Sequence, residues 1–335
     1  MTESTRLNKL IEVLGRSVPS FEAGETLYAE RILDCNCELG ETILYDDSKN
    51  SILWTDIYGR KFHCLDLSVG SHTVKDLPKM LCSFALRADN EIGYLCAWED
   101  GFQLYDIENL KALSEMSSGE EVNPTGLPTR MNDGRTDPDG KRFIVGGYYG
   151  EIEDMYMKVY KCELQEDASS TAAPALKHSA LVDKIQVTNS ICFSTDGDTM
   201  YLADSPTREI CKYKYDRETG ALSEKQTLRT LDIGVPDGSC VDSNGNLWNA
   251  IWRSGAGPGM VNCINSQTGD IISTVHMPDG TSQITCCCFG GPNLDILFIS
   301  SAAERADKVK EPHAGCVYAA KVGVQGCPEV RFVGY

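Results

Sequence analysis

The chain is predicted to be all-β, a six-bladed β-propeller with a short N-terminal helix, and three observations lead there. One hairpin grammar recurs along the sequence: an apolar run, a turn of Asx and Gly residues, and a return strand, aromatic in several copies. It occupies residues 41–56 (ETILYDDSKNSILWTD), 130–148, 189–204 (NSICFSTDGDTMYLAD), 234–255 (GVPDGSCVDSNGNLWNAIWRSG) and 284–300, with a weaker copy at 87–98. Asx and Gly residues supply the backbone conformations that tight hairpin turns need. The copies recur at intervals of roughly 45 to 60 residues, the period of four-stranded blades that bury their faces only against their neighbours. No Pro/Ser-rich linker divides the 335 residues, so residues 28–335 are assigned to one propeller domain and 1–27 to a helical extension.

Taken in order, Leu7, Leu10, Ile11 and Leu14 recur at helical spacing and predict the N-terminal helix. Residues 28–33 read as a strand that closes the ring by pairing with C-terminal strands, which removes the unpaired edges of the first and last blades. The first blade runs from 41 to 73, with residues 62–67 as its third strand, where His63 is expected to be a packed or surface histidine rather than a ligand. The second spans about residues 80–113 and carries no evident chemistry. Residues 166–176 (EDASSTAAPAL) and 253–259 (RSGAGPG) are expected to be loops, and 302–312 a surface excursion.

Composition narrows the function. A formal net charge of -18 argues against nucleic acid or an anionic membrane as partner. No apolar run spans a bilayer, and the first 30 residues lack the pattern of a signal peptide. Fifteen cysteines, an odd number, are scattered through strand patterns such as Cys286-Cys287-Cys288. They are expected to be small core residues in a reducing compartment, which implies a cytoplasmic protein. With no CxxC pair and no ligand spacing among the five histidines, a zinc cluster is not expected.

In a propeller, the inner strands of all blades converge on one channel mouth. Glu41, Asn189 and Asp237 precede the first apolar residues of their hairpins, and Asp237 stands between Pro236 and Gly238 at a sharp turn. Two carboxylates and an amide oxygen at matching places in three blades suit a hard divalent cation such as Ca²⁺, Mg²⁺ or Mn²⁺.

These residues resemble the senescence-marker-protein/gluconolactonase/luciferin-regenerating family. The resemblance rests on Gly40-Glu41; on Arg130-Met131-Asn132-Asp133-Gly134 with Asp137-Pro138 and Gly140; on Asn189 with Ser194-Thr195-Asp196-Gly197 and residues 201–205; and on Pro236-Asp237-Gly238 with Asp242, Gly245, Leu247-Trp248 and Ala250. It implies a six-bladed propeller with one catalytic divalent cation (Ca²⁺, Mg²⁺, Mn²⁺, Zn²⁺ or Fe²⁺) on Glu41, Asn189 and Asp237. It implies sugar hydroxyl contacts from Arg130, Asn132 and Glu151, the last through an alignment with one inserted residue. The chain departs from the family pattern where Thr42-Ile43 replaces Gly-Pro, Ser190 replaces Gly, and Ser239 replaces a larger apolar residue.

The expected activity is metal-dependent hydrolysis of a sugar lactone, an aldonolactone such as gluconolactone or a pentonolactone, by a monomer or weak homo-oligomer. Asp237 is the expected general base. Arg130 offers a planar fork of donors, and Asn132 both donates and accepts, which suits a polyhydroxylated substrate. A serine-hydrolase mechanism has less support, since no G-x-S-x-G elbow is present. The alternative is a non-enzymatic calcium- or ligand-binding regulatory propeller.

Overall fold

The innermost strand of each blade is buried on both faces, polar residues included, because it is covered on both sides by its neighbours around the ring. These strands are Gly40–Asp46, Leu81–Leu86, Arg130–Thr136, Thr188–Phe193, Val235–Val241 and Ile284–Gly290. Moving outward in a blade, exposure rises: Gly40–Asp46 is buried throughout, whereas the fourth strand of that blade, His72–Asp76, faces solvent along much of its length. The computed structural model describes residues 26–333 except 89–90, 120–121, 123–128, 150–156, 166–173, 256 and 278, together with residues 12, 15 and 24. Within these residues there are six antiparallel blades, five of four strands and one of five.

The expected six-fold repeat is therefore present, and the strands bearing Leu53, Tyr201 and Trp248 are each the second of their blade. In blade two the inner strand lies at Leu81–Leu86, upstream of the 87–98 copy, whose return strand is Tyr94–Trp98. The clasp is split in two. Glu30–Leu33 pairs antiparallel with Val317–Lys321 to complete the last blade, while Thr26–Tyr28 adds a parallel fifth strand beside Ile271–His276 of blade five. Two adjacent blades are thus tied by consecutive residues of one segment. Most of the predicted helix, including Leu7, Leu10, Ile11 and Leu14, and most of the 166–176 loop fall outside the described residues.

Turn carboxylates hold the hairpins in the places the sequence marks. Asp242 accepts hydrogen bonds from the backbone N–H groups of Asn244 and Asn246 and from Trp248 Nε1, each at 2.9 Å. Asp137 accepts from the N–H groups of Lys141 and Arg142 at 2.8 and 3.0 Å. The core lies between blades: Trp248 packs with Cys287, Phe289, Leu297, Ile299 and Tyr318 of the next blade, its ring edge-on to Phe289 at 5.8 Å. All fifteen cysteines are free thiols, and most of them are buried.

Each innermost strand carries a β-bulge near its start, where an extra residue re-aims the side chains around it. In blades one and four the first bulged residues, Thr42 and Ser190, have φ of 47° and 59°. This left-handed region costs an L residue energy and favours Gly, which explains why the family pattern has Gly at both positions. Replacing Thr42 by Ala or by Gly removes the same contacts, from its hydroxyl to Cys82 O and Ser83 Oγ. Thr42→Gly is expected to be more stable than Thr42→Ala by about 1 kcal/mol, an inversion of the usual order that equilibrium urea unfolding would measure.

Candidate metal and substrate site

Bulges bring two different register positions to the same channel mouth. Glu41 and Asn189 are the last paired residues before their bulges, opposite Thr55 and Ala203. Asp237 and Asn132 stand one position further on, as first residues inside bulges that follow the pairs Pro236 with Ile251 and Met131 with Gly147. Asp237 therefore does not occupy the place in its blade that Glu41 and Asn189 occupy in theirs, as pattern matching suggested. Glu41, Asn189 and Asp237 all line one cavity of about 230 Å³, together with Arg130 and Asn132. Glu151 lies outside the described residues.

Hydrogen bonds orient these groups. Ser205 Oγ donates to Pro236 O at 2.7 Å, so it accepts from Asn189 Nδ2 at 2.8 Å, and this leaves the Asn189 amide oxygen facing Asn132 and the cavity. Asn132 Nδ2 donates to Thr188 O at 2.7 Å and to Asn189 Oδ1 at 3.1 Å, while its Oδ1 accepts from Arg130. The Arg130 guanidinium lies over the Tyr148 ring at 4.1 Å and the Tyr58 ring at 5.3 Å. It is held by π faces and by the neutral oxygens of Met131, Asn132 and Tyr58. On the other side, Ser190 Oγ and Asn249 Nδ2 donate to the Asp237 carbonyl at 2.7 and 2.9 Å, and Ser239 Oγ lies 3.0 Å from Ser190 Oγ. Two of the three departures from the family pattern, Ser190 and Ser239, thus join a buried network that fixes the backbone of Asp237.

Three carboxylates crowd this end of the channel. Burial, and then the negative charge of Asp133, push the Glu41 carboxyl up to about 8 despite Arg130 nearby. Burial, then Glu41 and Asp133, hold Asp237 well above the usual carboxylate range. Asp133 rises to about 6 through burial, although it accepts a hydrogen bond from Ile191 N at 2.8 Å. Buried carboxylates at this spacing ionise together only when a positive charge joins them. The donor set fits a hard divalent cation on that ground: Glu41 and Asp237 supply anionic oxygens, Asn189 a neutral one, and the cavity has room for water.

Several residues in or beside the cavity were not singled out from sequence. Asp133 and Ser205 lay inside recognised motifs, but only the fold shows that one adds charge and the other aims Asn189. Tyr58, Tyr148, Trp252, Glu304 and Arg305 also line the cavity. The last two belong to the segment read as a surface excursion, which is exposed over most of its length and also reaches the mouth, with Arg305 over the Trp252 ring at 5.8 Å. Of the two places expected for His63, core or surface, it takes the core, buried and stacked on Trp54 at 4.9 Å.

A six-bladed propeller with acidic and amide oxygens gathered at one channel mouth defines a small-molecule or metal-binding class. Residues 39–303 match the model of the SMP-30/Gluconolactonase/LRE-like region, and the chain belongs to that family. It is 30% identical over 306 residues to regucalcin of Xenopus laevis, covering 89% of this chain and 95% of the relative. It is also 30% identical over 303 residues to 6-deoxy-6-sulfogluconolactonase of Pseudomonas putida, covering 88% and 95%. The crystal structure of a calcium-binding protein, regucalcin, from Agrobacterium tumefaciens superposes with a TM-score of 0.76 at 27% identity, covering 92% of this chain and 99% of the other. The family thus includes lactone hydrolases. Among the described residues, no helix is long and apolar enough to cross a membrane.

Proposed function

We propose that the protein hydrolyses a sugar lactone, an aldonolactone, with one divalent cation held by Glu41, Asn189 and Asp237. The observation that carries this reading is the convergence of those three oxygen donors with Arg130 and Asn132 in one cavity. A plain cation buffer has no use for a guanidinium and an amide beside its ligands, whereas a ring bearing several hydroxyls does. When bound, the cation would polarise the lactone carbonyl and stabilise the negative charge that develops there. Asn132 and Arg130 orient the ring hydroxyls. Asp237 takes a proton from the attacking water and returns it to the departing ring oxygen, and the aromatic wall of Tyr58, Tyr148 and Trp252 limits solvent.

This division of labour is tested by steady-state kinetics with metal analysis of each variant. Asn132→Ala is expected to lower kcat/KM with metal content unchanged. Arg130→Lys is also expected to be impaired, because an ammonium keeps the charge but loses the fork and the broad face stacked on Tyr148. Wild-type kinetics for both variants would remove the substrate role assigned to this side of the cavity.

A further inference from the structure

A second group of nucleophilic and titratable side chains lies outside the cavity, where the clasp strand Glu30–Leu33 leads into the inner strand of blade one. Cys35-Asn36-Cys37 makes the connection, and Asn36 has φ of 52°. Asparagine tolerates this left-handed turn, which folds the chain between the two cysteines and keeps their thiols close enough to shift one another's titration. Cys37 is buried. Its Sγ accepts from Trp54 Nε1 at 3.4 Å and lies 3.7 Å from His63 Nε2. His63 is held in place by His72, whose Nε2 is 3.0 Å from His63 Nδ1, and by stacking on Trp54. Cys35 is half-buried, with its Sγ 3.0 Å from Gly315 O.

The two thiols are therefore unlike. The neighbouring Cys35 thiol, and more weakly His63, bring Cys37 down to about 6 against the opposing effect of burial, whereas burial pushes Cys35 up. The core thiols Cys82, Cys96, Cys162, Cys192, Cys286 and Cys288 are all pushed up by burial. A cation is not the better reading of this cluster. The neighbouring carboxylate, Asp56, already accepts from the N–H groups of Glu38, Leu39 and Gly59 at 2.9, 2.9 and 3.0 Å.

We propose that Cys35 and Cys37 form a redox-active dithiol that hydrogen peroxide oxidises to an intrachain disulfide. The Cys37 thiolate attacks one peroxide oxygen; an S–O bond forms, the O–O bond breaks, and the departing hydroxide takes a proton from solvent to become water. Cys35 then loses its proton and attacks the Cys37 sulfur. The S–S bond forms, the S–O bond breaks, and the hydroxyl leaves as water with that proton. Two thiols have given two electrons, and one peroxide has become two waters.

Trypsin cleavage after Arg31 and Lys49 yields a peptide, residues 32–49, that contains Cys35 and Cys37 and no other cysteine. The native chain is treated with hydrogen peroxide, blocked with N-ethylmaleimide after denaturation, digested and weighed. The expected peptide is two hydrogens lighter than the dithiol, unalkylated, and restored by dithiothreitol, while the peptide bearing Cys286, Cys287 and Cys288 is fully alkylated. In Cys35→Ser the resolving thiol is absent, and Cys37 is expected to accumulate as a sulfenic acid that dimedone traps. The proposal is overturned if the wild-type 32–49 peptide is recovered doubly alkylated, or if Cys35 is found linked to Cys316. It is equally overturned if folded Cys35→Ser gives no dimedone adduct on Cys37.

Discussion

Asp237→Asn is expected to lower kcat for the best lactone substrate by roughly 10²-fold or more, the usual scale for losing a general base, whatever happens to KM. The amide keeps one oxygen for the cation but cannot take a proton at neutral pH. Little else about the residue changes. Its carbonyl remains anchored by Ser190 Oγ and Asn249 Nδ2, and neither bond involves the carboxylate. Removing one charge also relieves the repulsion with Glu41 and Asp133, so the folded state is not expected to suffer. Metal content, measured on the purified variant, separates the two roles. A variant that binds metal normally and turns over at the wild-type rate shows that Asp237 is not the base.

Trp248→Ala is expected to destabilise the fold by about 3 to 5 kcal/mol, the range for truncating a large buried aromatic. Trp248 is fully buried between blades five and six and donates from Nε1 to Asp242 Oδ2 at 2.9 Å. The truncation empties a space against Phe289 and leaves that oxygen of Asp242 with the weaker contact from Asn246 Nδ2 at 3.3 Å. Trp248→Phe refills part of the volume without the donor and is expected to fall between. Urea unfolding of the three proteins at one pH would rank them. An alanine variant as stable as the parent would show that this hairpin is not part of the cooperative core.

The same hairpin shows how much of the molecule was legible beforehand. Asp242, Gly245 and the apolar run through Trp248 announce a turn and a return strand by residue type alone, and five other copies made a ring of six blades the economical fold. Glu41, Asn189 and Asp237 were legible as candidates because acidic and amide residues recur at the start of otherwise apolar hairpins, whereas Arg130 and Asn132 were indicated by the family resemblance. The one-residue offset between Glu41 and Asp237 was not legible. It depends on bulge geometry, and Thr42 and Ser190 at positive φ disguise positions where glycine would have signalled the turn. Glu304 and Arg305 were missed for a different reason: a mixed-charge segment reads as solvated surface, and only the path of the chain carries it back to the channel mouth. Likewise, Cys37, His63 and Trp54 belong to separate stretches, and strand pairing rather than spacing brings them together.

Whether the oxygens of Glu41, Asn189 and Asp237 hold a cation that activates a lactone bound by Arg130 and Asn132 is decided by stripping the protein of metal and assaying a panel of aldonolactones while Ca²⁺, Mg²⁺, Mn²⁺, Zn²⁺ or Fe²⁺ is added back singly. The predicted result is that the stripped protein is inactive and that at least one cation restores hydrolysis of at least one lactone. Hydrolysis that persists unchanged without metal would contradict the role given to these residues, and a wild-type protein inactive on every lactone with all five cations would contradict the enzymatic reading itself.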